Sequence, residues 1–279
     1  MRGDGDGWVV GDNGTQHWGK HGAAGLLLRA PAPDGEPTVL LQHRALWSHQ
    51  GGTWALPGGA RDSHETSVDA AVREADEEAG IGSARLHVRG ERVTARVTSG
   101  WTYVTVVADA ETQLDTTING ESTELRWVPE EMVDHLPLHP GFAASWPALR
   151  TSPLRVLLDT ANVLGSRPNG WWKDRSGATV ELLAALSDAL PRTVELAGGS
   201  FGWLTRIEAV LEGEARAAQF EDARVPVIHA EGSGDDELAR RANDGYALTA
   251  MVTADRGLQQ RLPTGVQVLS PSTVLGWLR

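Results

Sequence analysis

The chain has 279 residues, a net charge of −12, no cysteine and 41% hydrophobic residues. That length accommodates two ordinary domains, each with its own core. Without cysteine there are neither disulfides nor thiolate metal sites. Residues 1–152 hold 12 basic and 21 acidic residues, and residues 153–279 hold 13 and 16. Neither half therefore has the basic excess of a stable nucleic-acid binder. An acidic enzyme still handles phosphates when cations neutralise its carboxylates. No apolar run approaches the roughly 20 residues that span a bilayer, so no membrane partner is expected. The polar, acidic stretch from Met1 to Gly7 lacks the layout of a secretory signal, and the expected location is the cytoplasm.

In chain order, residues 1–20 are rich in Gly and Asp and read as loop, with a short edge strand at Trp8. Gly22 to Arg29 reads as a buried strand, residues 31–37 as a turn, and Thr38 to His43 as its hairpin partner. Two Gly-Gly pairs follow, and the second, ending at Gly59, leads into a helix that runs to Gly80. Within it Glu74, Glu77 and Glu78 are spaced i, i+3, i+4 and share one face. Val68, Ala71, Val72, Ala75 and Ala79 form an apolar stripe on another face. Three carboxylates on one patch repel each other, and a hard divalent cation, magnesium or manganese, relieves that repulsion. The alternative for the three glutamates alone is a solvated acidic face.

Strands resume at Arg85 to Arg89, at Trp101 to Ala108 and, after an Asn119-Gly120 turn, at Glu121 to Val128. Gly141 to Leu149 reads as a closing helix, and residues 150–153 as a linker. Beyond it strands alternate with helices, which predicts a mainly parallel sheet covered on both faces. Asp159 ends a very apolar strand, Asp235 opens a helix, and Asp255 and Glu212 end further strands. In a parallel sheet such positions face one crevice, where four acids suit a magnesium site for phosphodiester cleavage. Each acid alone also reads as a cap or turn residue.

The stretch from Gly59 to Ile81 matches Gly-x5-Glu-x7-Arg-Glu-apolar-x-Glu-Glu-x-Gly-apolar, with Ala75 in the first apolar slot. This is the Nudix box, and residues 1–150 resemble a Nudix hydrolase domain of the MutT-like branch. The resemblance implies an α/β/α sandwich with a mixed sheet, in which magnesium or manganese is held against a diphosphate. It implies Glu74, Glu77 and Glu78 as metal ligands or base, Gly59 as a further ligand through its carbonyl, and Arg73 paired with Glu65 to orient the helix. It also implies Glu124 as a metal ligand from a later strand. Trp18, Trp47, Trp101 and Tyr103 are candidates for stacking on a base, or fill core. Asn119 contacts a base edge, or is a turn residue.

Residues 153–279 resemble a PIN-like domain of the NYN type, a Rossmann-like α/β fold, through Asp159 to Asn162, Gly234 to Asp236 and Thr253 to Asp255. The resemblance implies that Asp159, Asp235 and Asp255 bind metal, that Glu212 joins them, and that Asn162 orients the first loop. The loop from Pro168 to Arg175 holds Trp171, Trp172 and Lys173, which either grip single-stranded RNA or pack against protein. The expected activity is metal-dependent conversion of a nucleoside triphosphate, ordinary or oxidised, to monophosphate and pyrophosphate, with a second, ribonuclease activity. The alternatives are action on ADP-ribose, nucleotide sugars or dinucleotide polyphosphates, with the second half a non-catalytic RNA-binding or dimerisation module, and a nucleotide sensor without turnover. A homodimer is left open.

Overall fold

The computed structural model describes residues 3–11, 14–167 and 170–278. The chain divides into two compact units, Met1–Thr151 and Ser152–Arg279. Among the described residues no helix is long and apolar enough to cross a membrane. Both units are α/β.

The first unit opens with an antiparallel pair, β1 (Trp8–Val10) and β2 (Gln16–Trp18), with Trp8 opposite Trp18. The main sheet has seven strands: β3 (Ala23–Pro31), β4 (Pro37–Arg44), β5 (Trp54–Ala55), β6 (Gly58–Ala60), β7 (His87–Arg96), β8 (Thr102–Asp109) and β9 (Ser122–Pro129). Helix α1 (Ser67–Ala79) lies between β6 and β7 in sequence, and α2 (Pro140–Leu149) closes the unit. The sheet is mixed: β3 runs parallel to β8 and antiparallel to β4 and β6. Strand β3 is buried along nearly its whole length, which accounts for its continuous apolar run.

Helix α1 packs through Ala70, Ala71, Ala75 and Ala79 against Leu26, Leu28, Leu40 and Val106. These small side chains let the helix lie close on the sheet. The helix starts later than the sequence predicts. Gly58–Ala60 is a strand paired to β3, and Thr66 caps the first turn in a reciprocal capping box with Asp69. Such a cap is worth about 1 kcal/mol. Gly80 ends the helix in the left-handed conformation, with φ 69°.

One buried ion pair ties the sheet to the chain that follows it. Arg29 is wholly buried, donates to Glu130 at 3.1 and 3.3 Å, and donates to the Leu149 carbonyl at 2.6 Å. Glu130 also accepts from the amide and hydroxyl of Thr151.

The second unit contains β10 (Thr151–Asp159), α3 (Thr160–Gly165), α4 (Arg175–Asp188), β11 (Arg192–Glu195), β12 (Phe201–Leu211) and β13 (Val227–His229). It continues with α5 (Gly234–Ala242), β14 (Thr249–Val252), α6 (Arg256–Gln260), β15 (Gln267–Leu269) and α7 (Pro271–Leu275). The sheet order is β11-β12-β10-β14-β15, with β13 also on β12. The β10–β14, β14–β15 and β12–β13 pairs are parallel and the β11–β12 pair is antiparallel. The expected linker at 150–153 is instead the end of α2 and the first residues of β10. Strand β11 and helix α3 stand in stretches that sequence patterning leaves as loop, because each is too short to show a period.

Candidate active site

In the first unit, the last two turns of α1 present Glu74 and Glu78 to β6. Glu78 is 4% exposed. Its Oε2 accepts the Gly58 amide at 2.7 Å and the Gln42 side-chain amide at 3.1 Å. Gln42 is in turn held by the Ser122 hydroxyl, which donates to it at 2.6 Å. Burial pushes the Glu78 carboxyl up to about 8, and the charges of Glu74 and Glu121 push in the same direction. Burial also raises Glu74, against the opposing pull of Arg73. Glu77 is mostly solvent-exposed.

Arg73 organises the acids. Its guanidinium donates to both oxygens of Glu65, at 2.7 and 3.0 Å, and to Glu74 at 2.8 Å. A further bond reaches the Ala60 carbonyl at 2.9 Å. This fork pins β6 and the capping loop to the helix. Gly59 lies directly against the Glu74 carboxylate: a Cβ there would sit 2.5 Å from an oxygen, so only glycine permits the approach.

The structure corrects the position of Glu124. On β4, Gln42 faces α1, so its neighbour His43 faces the other side of the sheet. Glu124 pairs across the strand with His43, whereas Leu125 pairs with Gln42 and packs under α1. Directly opposed residues share a face. Glu124 therefore points away from the glutamates and bonds Arg126 at 2.8 Å. The acid whose charge bears on both Glu74 and Glu78 is Glu121, just before β9. It is held by Asn119, whose side-chain oxygen accepts the Glu121 amide and whose NH2 donates to the Glu77 carbonyl. Asn119 thus clamps the Glu121 loop to the end of α1.

Arg44 ends β4, and its charge opposes the raised Glu78. The Tyr103 hydroxyl reaches over Gly25 and Gly58, and burial first, then the Glu78 charge, raises the phenol above its usual range. Its hydroxyl is thereby brought to the carboxylates. Trp101 is occupied elsewhere: its ring stacks on His17 at 4.6 Å and its Nε1 donates to the Trp18 carbonyl. Trp47 is exposed and Trp18 packs edge-on to Trp8. Gln42, Arg44 and Glu121 are absent from the residues singled out by sequence. None carries a periodic signal: Gln42 is placed by its bond to Glu78, and Arg44 and Glu121 by the charge each brings to bear on it.

The donor set around Glu78 is all oxygen: Glu74, Glu77, Glu78 and Glu121. Glu78 is buried and Glu74 half-buried, and both are raised in part by neighbouring carboxylate charges, which fits a hard divalent cation whose charge replaces the proton.

In the second unit Asp159, Glu212, Asp235 and Asp255 line one cavity of about 590 Å³, together with Asn162 and Ser233. Asp159 accepts the Asn162 amide at 3.0 Å and the buried Thr253 hydroxyl at 2.8 Å. The Asn162 side chain accepts the Ala254 amide at 2.8 Å, tying α3 to the loop after β14. Glu212 accepts the Gly234 amide at the start of α5, and Asp255 caps α6. Burial raises the Asp159 carboxyl, aided by the charges of Asp235 and Glu212. Asp235 is raised likewise, with Asp255 and Glu212 contributing. At the cavity rim the Trp171 ring stands beside Gly165, with the Arg175 guanidinium 4.9 Å over it and the exposed Trp172 edge-on at 6.2 Å. Pro168 and Asn169 of the same expected loop lie outside the described residues.

The NUDIX domain pattern matches residues 19–149. A Mycobacterium tuberculosis protein named "Putative 8-oxo-dGTP diphosphatase 3" is 56% identical over 209 residues, 74% of this chain and 86% of that protein. A match of 209 residues is longer than the first unit and so runs into the second. A Bifidobacterium longum protein named "Nucleoside triphosphate pyrophosphatase/Nudix hydrolase fusion protein" is 40% identical over 51% of this chain and 30% of its own. The crystal structure of RenU, a Nudix hydrolase from M. smegmatis, is 65% identical, covers 51% of this chain and 91% of its own, and superposes with a TM-score of 0.50. An oxygen-lined carboxylate helix on a mixed sheet, matched over that span and to relatives of that identity, places the chain in the Nudix hydrolase family, the enzymes that cleave phosphoanhydrides.

Proposed function

We propose that the first unit hydrolyses a nucleoside triphosphate, an oxidised purine deoxynucleotide being the preferred substrate, to the monophosphate and pyrophosphate. The observation that carries the reading is the buried Glu78 beside Glu74 and Glu121, in a chain 56% identical over most of the length of a relative named for 8-oxo-dGTP. Glu74, Glu78 and Glu121, with the Gly59 carbonyl, would hold magnesium or manganese. When bound, such a cation cancels phosphate charge and lowers the pKa of a coordinated water. Arg73 holds Glu74 and Glu65 in place, so the carboxylates need no reorganisation when the substrate arrives. Glu77, exposed at the rim, and Glu74 are the groups placed to take a proton from the attacking water. Arg44, whose charge bears on Glu78, would supply positive charge to the phosphates.

The test is a panel of nucleoside triphosphates, oxidised guanine nucleotides, nucleotide sugars, ADP-ribose and dinucleotide polyphosphates, incubated with the full chain and magnesium. Monophosphate and pyrophosphate from the triphosphates are expected. Preference for ADP-ribose or a nucleotide sugar would replace the substrate reading, and no turnover by the wild type would end it.

For the second unit we propose a PIN-like, NYN-type domain with metal-dependent ribonuclease activity. Four acids lining one cavity, cross-tied by Asn162 and Thr253, support this reading. Single-stranded RNA is the expected partner, gripped by Trp171, Trp172 and Lys173, with the Trp171 ring beside Gly165 of the cavity lining. Cleavage by wild type and none by Asp159→Asn is the expected result; equal cleavage by both, or none by either, would leave a non-catalytic RNA-binding or dimerisation module. The cytoplasm remains the proposed location.

A further inference from the structure

The N-terminal pair of strands, β1 and β2, precedes the residues that match the family pattern. Yet it is fastened to the loop that feeds the catalytic helix. Asp4 accepts the amide and hydroxyl of Ser63, at 2.9 and 2.5 Å, and Asp62 accepts the Gly5 amide at 2.7 Å. Gly5 lies flat on the Arg61 carbonyl, with no room for a Cβ. At the far end the Trp18 carbonyl accepts from Trp101. The segment is thus bonded directly to the loop that carries Glu65.

What it displays there is aromatic. Trp8 meets Trp18 edge-on at 5.2 Å and His49 edge-on at 5.6 Å, and 47% of its surface remains open. Two edge contacts fix the ring's orientation while nearly half of it faces solvent. His49 belongs to the loop after β4, and its carbonyl accepts the Arg44 Nε at 3.1 Å. The Arg44 charge in turn bears on Glu78. Contacts thus lead from the carboxylates through Arg44 and His49 to Trp8. A nucleotide has the same order: charged phosphates, a sugar, then a flat ring that stacks on aromatic faces.

We propose that the N-terminal hairpin, through Trp8, forms the wall on which the substrate's base stacks. This rests on the nucleoside triphosphate reading of the first unit. Trp18 meets the ring edge-on and Trp101 holds the Trp18 backbone. The base is read by stacking, so the wall favours large purine rings over pyrimidines.

The experiment compares wild type, Trp8→Ala and Trp8→Phe on dGTP, 8-oxo-dGTP and dCTP, and on 2-deoxyribose 5-triphosphate, which lacks a base. Trp8→Ala is expected to raise KM for the purine nucleotides about tenfold or more beyond any change for the abasic triphosphate. Trp8→Phe restores most of the loss. KM unchanged by Trp8→Ala, or raised equally for the abasic compound, overturns the wall while leaving the hydrolase intact. A wild type that turns over no nucleotide overturns the triphosphate reading and the wall with it.

Discussion

Replacing Glu78 by glutamine should stabilise the metal-free protein at neutral and alkaline pH. The carboxyl is 4% exposed and burial lifts it to about 8, against an ordinary value of 4.5. The folded state thus binds this proton more tightly than the unfolded chain does. Below the unfolded value both states are protonated and nothing is lost. As pH rises from 4.5 towards 8, the unfolded chain releases its proton and folding grows less favourable. At 1.36 kcal/mol per pKa unit, the cost is roughly 3 kcal/mol at pH 7 and at most about 5 kcal/mol above pH 8. Glutamine keeps the bonds from Gly58 and Gln42 and carries no proton to lose. The assay is amide hydrogen exchange of α1 and β3 in the full chain with chelator, at pH 5 and pH 8, since those amides report the first unit alone. Glu78→Gln should open less readily than wild type at pH 8 and match it near pH 5. Magnesium should then protect the wild type far more than the variant. A variant that opens more readily than wild type at pH 8 without metal would refute the reasoning.

Arg29→Met leaves the buried Glu130 without its cation, and the first unit should lose about 3–5 kcal/mol, measured by the same exchange; Arg29→Met with Glu130→Gln should recover part of it. Arg73→Lys keeps the charge but cannot serve Glu65, Glu74 and the Ala60 carbonyl together, and kcat should fall about 10–100-fold in steady-state kinetics. His139 is held neutral, down to about 4, by burial and then by Arg44 and His49, and its Nδ1 accepts the Gly141 amide at the head of α2. Its contribution is present above the unfolded value of 6.5 and is lost as pH falls towards 4. His139→Asn, which still caps the helix, should flatten the fall in thermal midpoint between pH 6.5 and 4.

The carboxylate helix was legible because its chemistry is local: spacing within one helix decides which face Glu74, Glu77 and Glu78 share. The members that join it from the sheet are set by register, which is not local. Glu124 lies within β9 and Glu121 just before it, and the register shifts between His43 and Arg44, so alternation counted along the sequence does not show which acid faces α1. Only the pairing of His43 with Glu124 shows which acid is misplaced. In residues 1–20 the short edge strand at Trp8 is legible, but its partner β2 reads as loop because three residues are too few to show alternation. Their role comes from partners 57 and 59 positions on, at Asp62 and Ser63, which no periodicity encodes. In the second unit the four acids were legible as strand ends and helix starts, since a parallel sheet gathers such positions at one edge. Strand β11, antiparallel and four residues long, was not.

The most direct measurement is product analysis of 8-oxo-dGTP hydrolysis by the full chain with magnesium, beside Glu78→Gln. Monophosphate and pyrophosphate are expected in equal amounts, with dependence on the cation and a rate at least about a hundredfold lower in the variant. Release of orthophosphate and a diphosphate, or equal rates from wild type and variant, would contradict a pyrophosphohydrolase centred on Glu78.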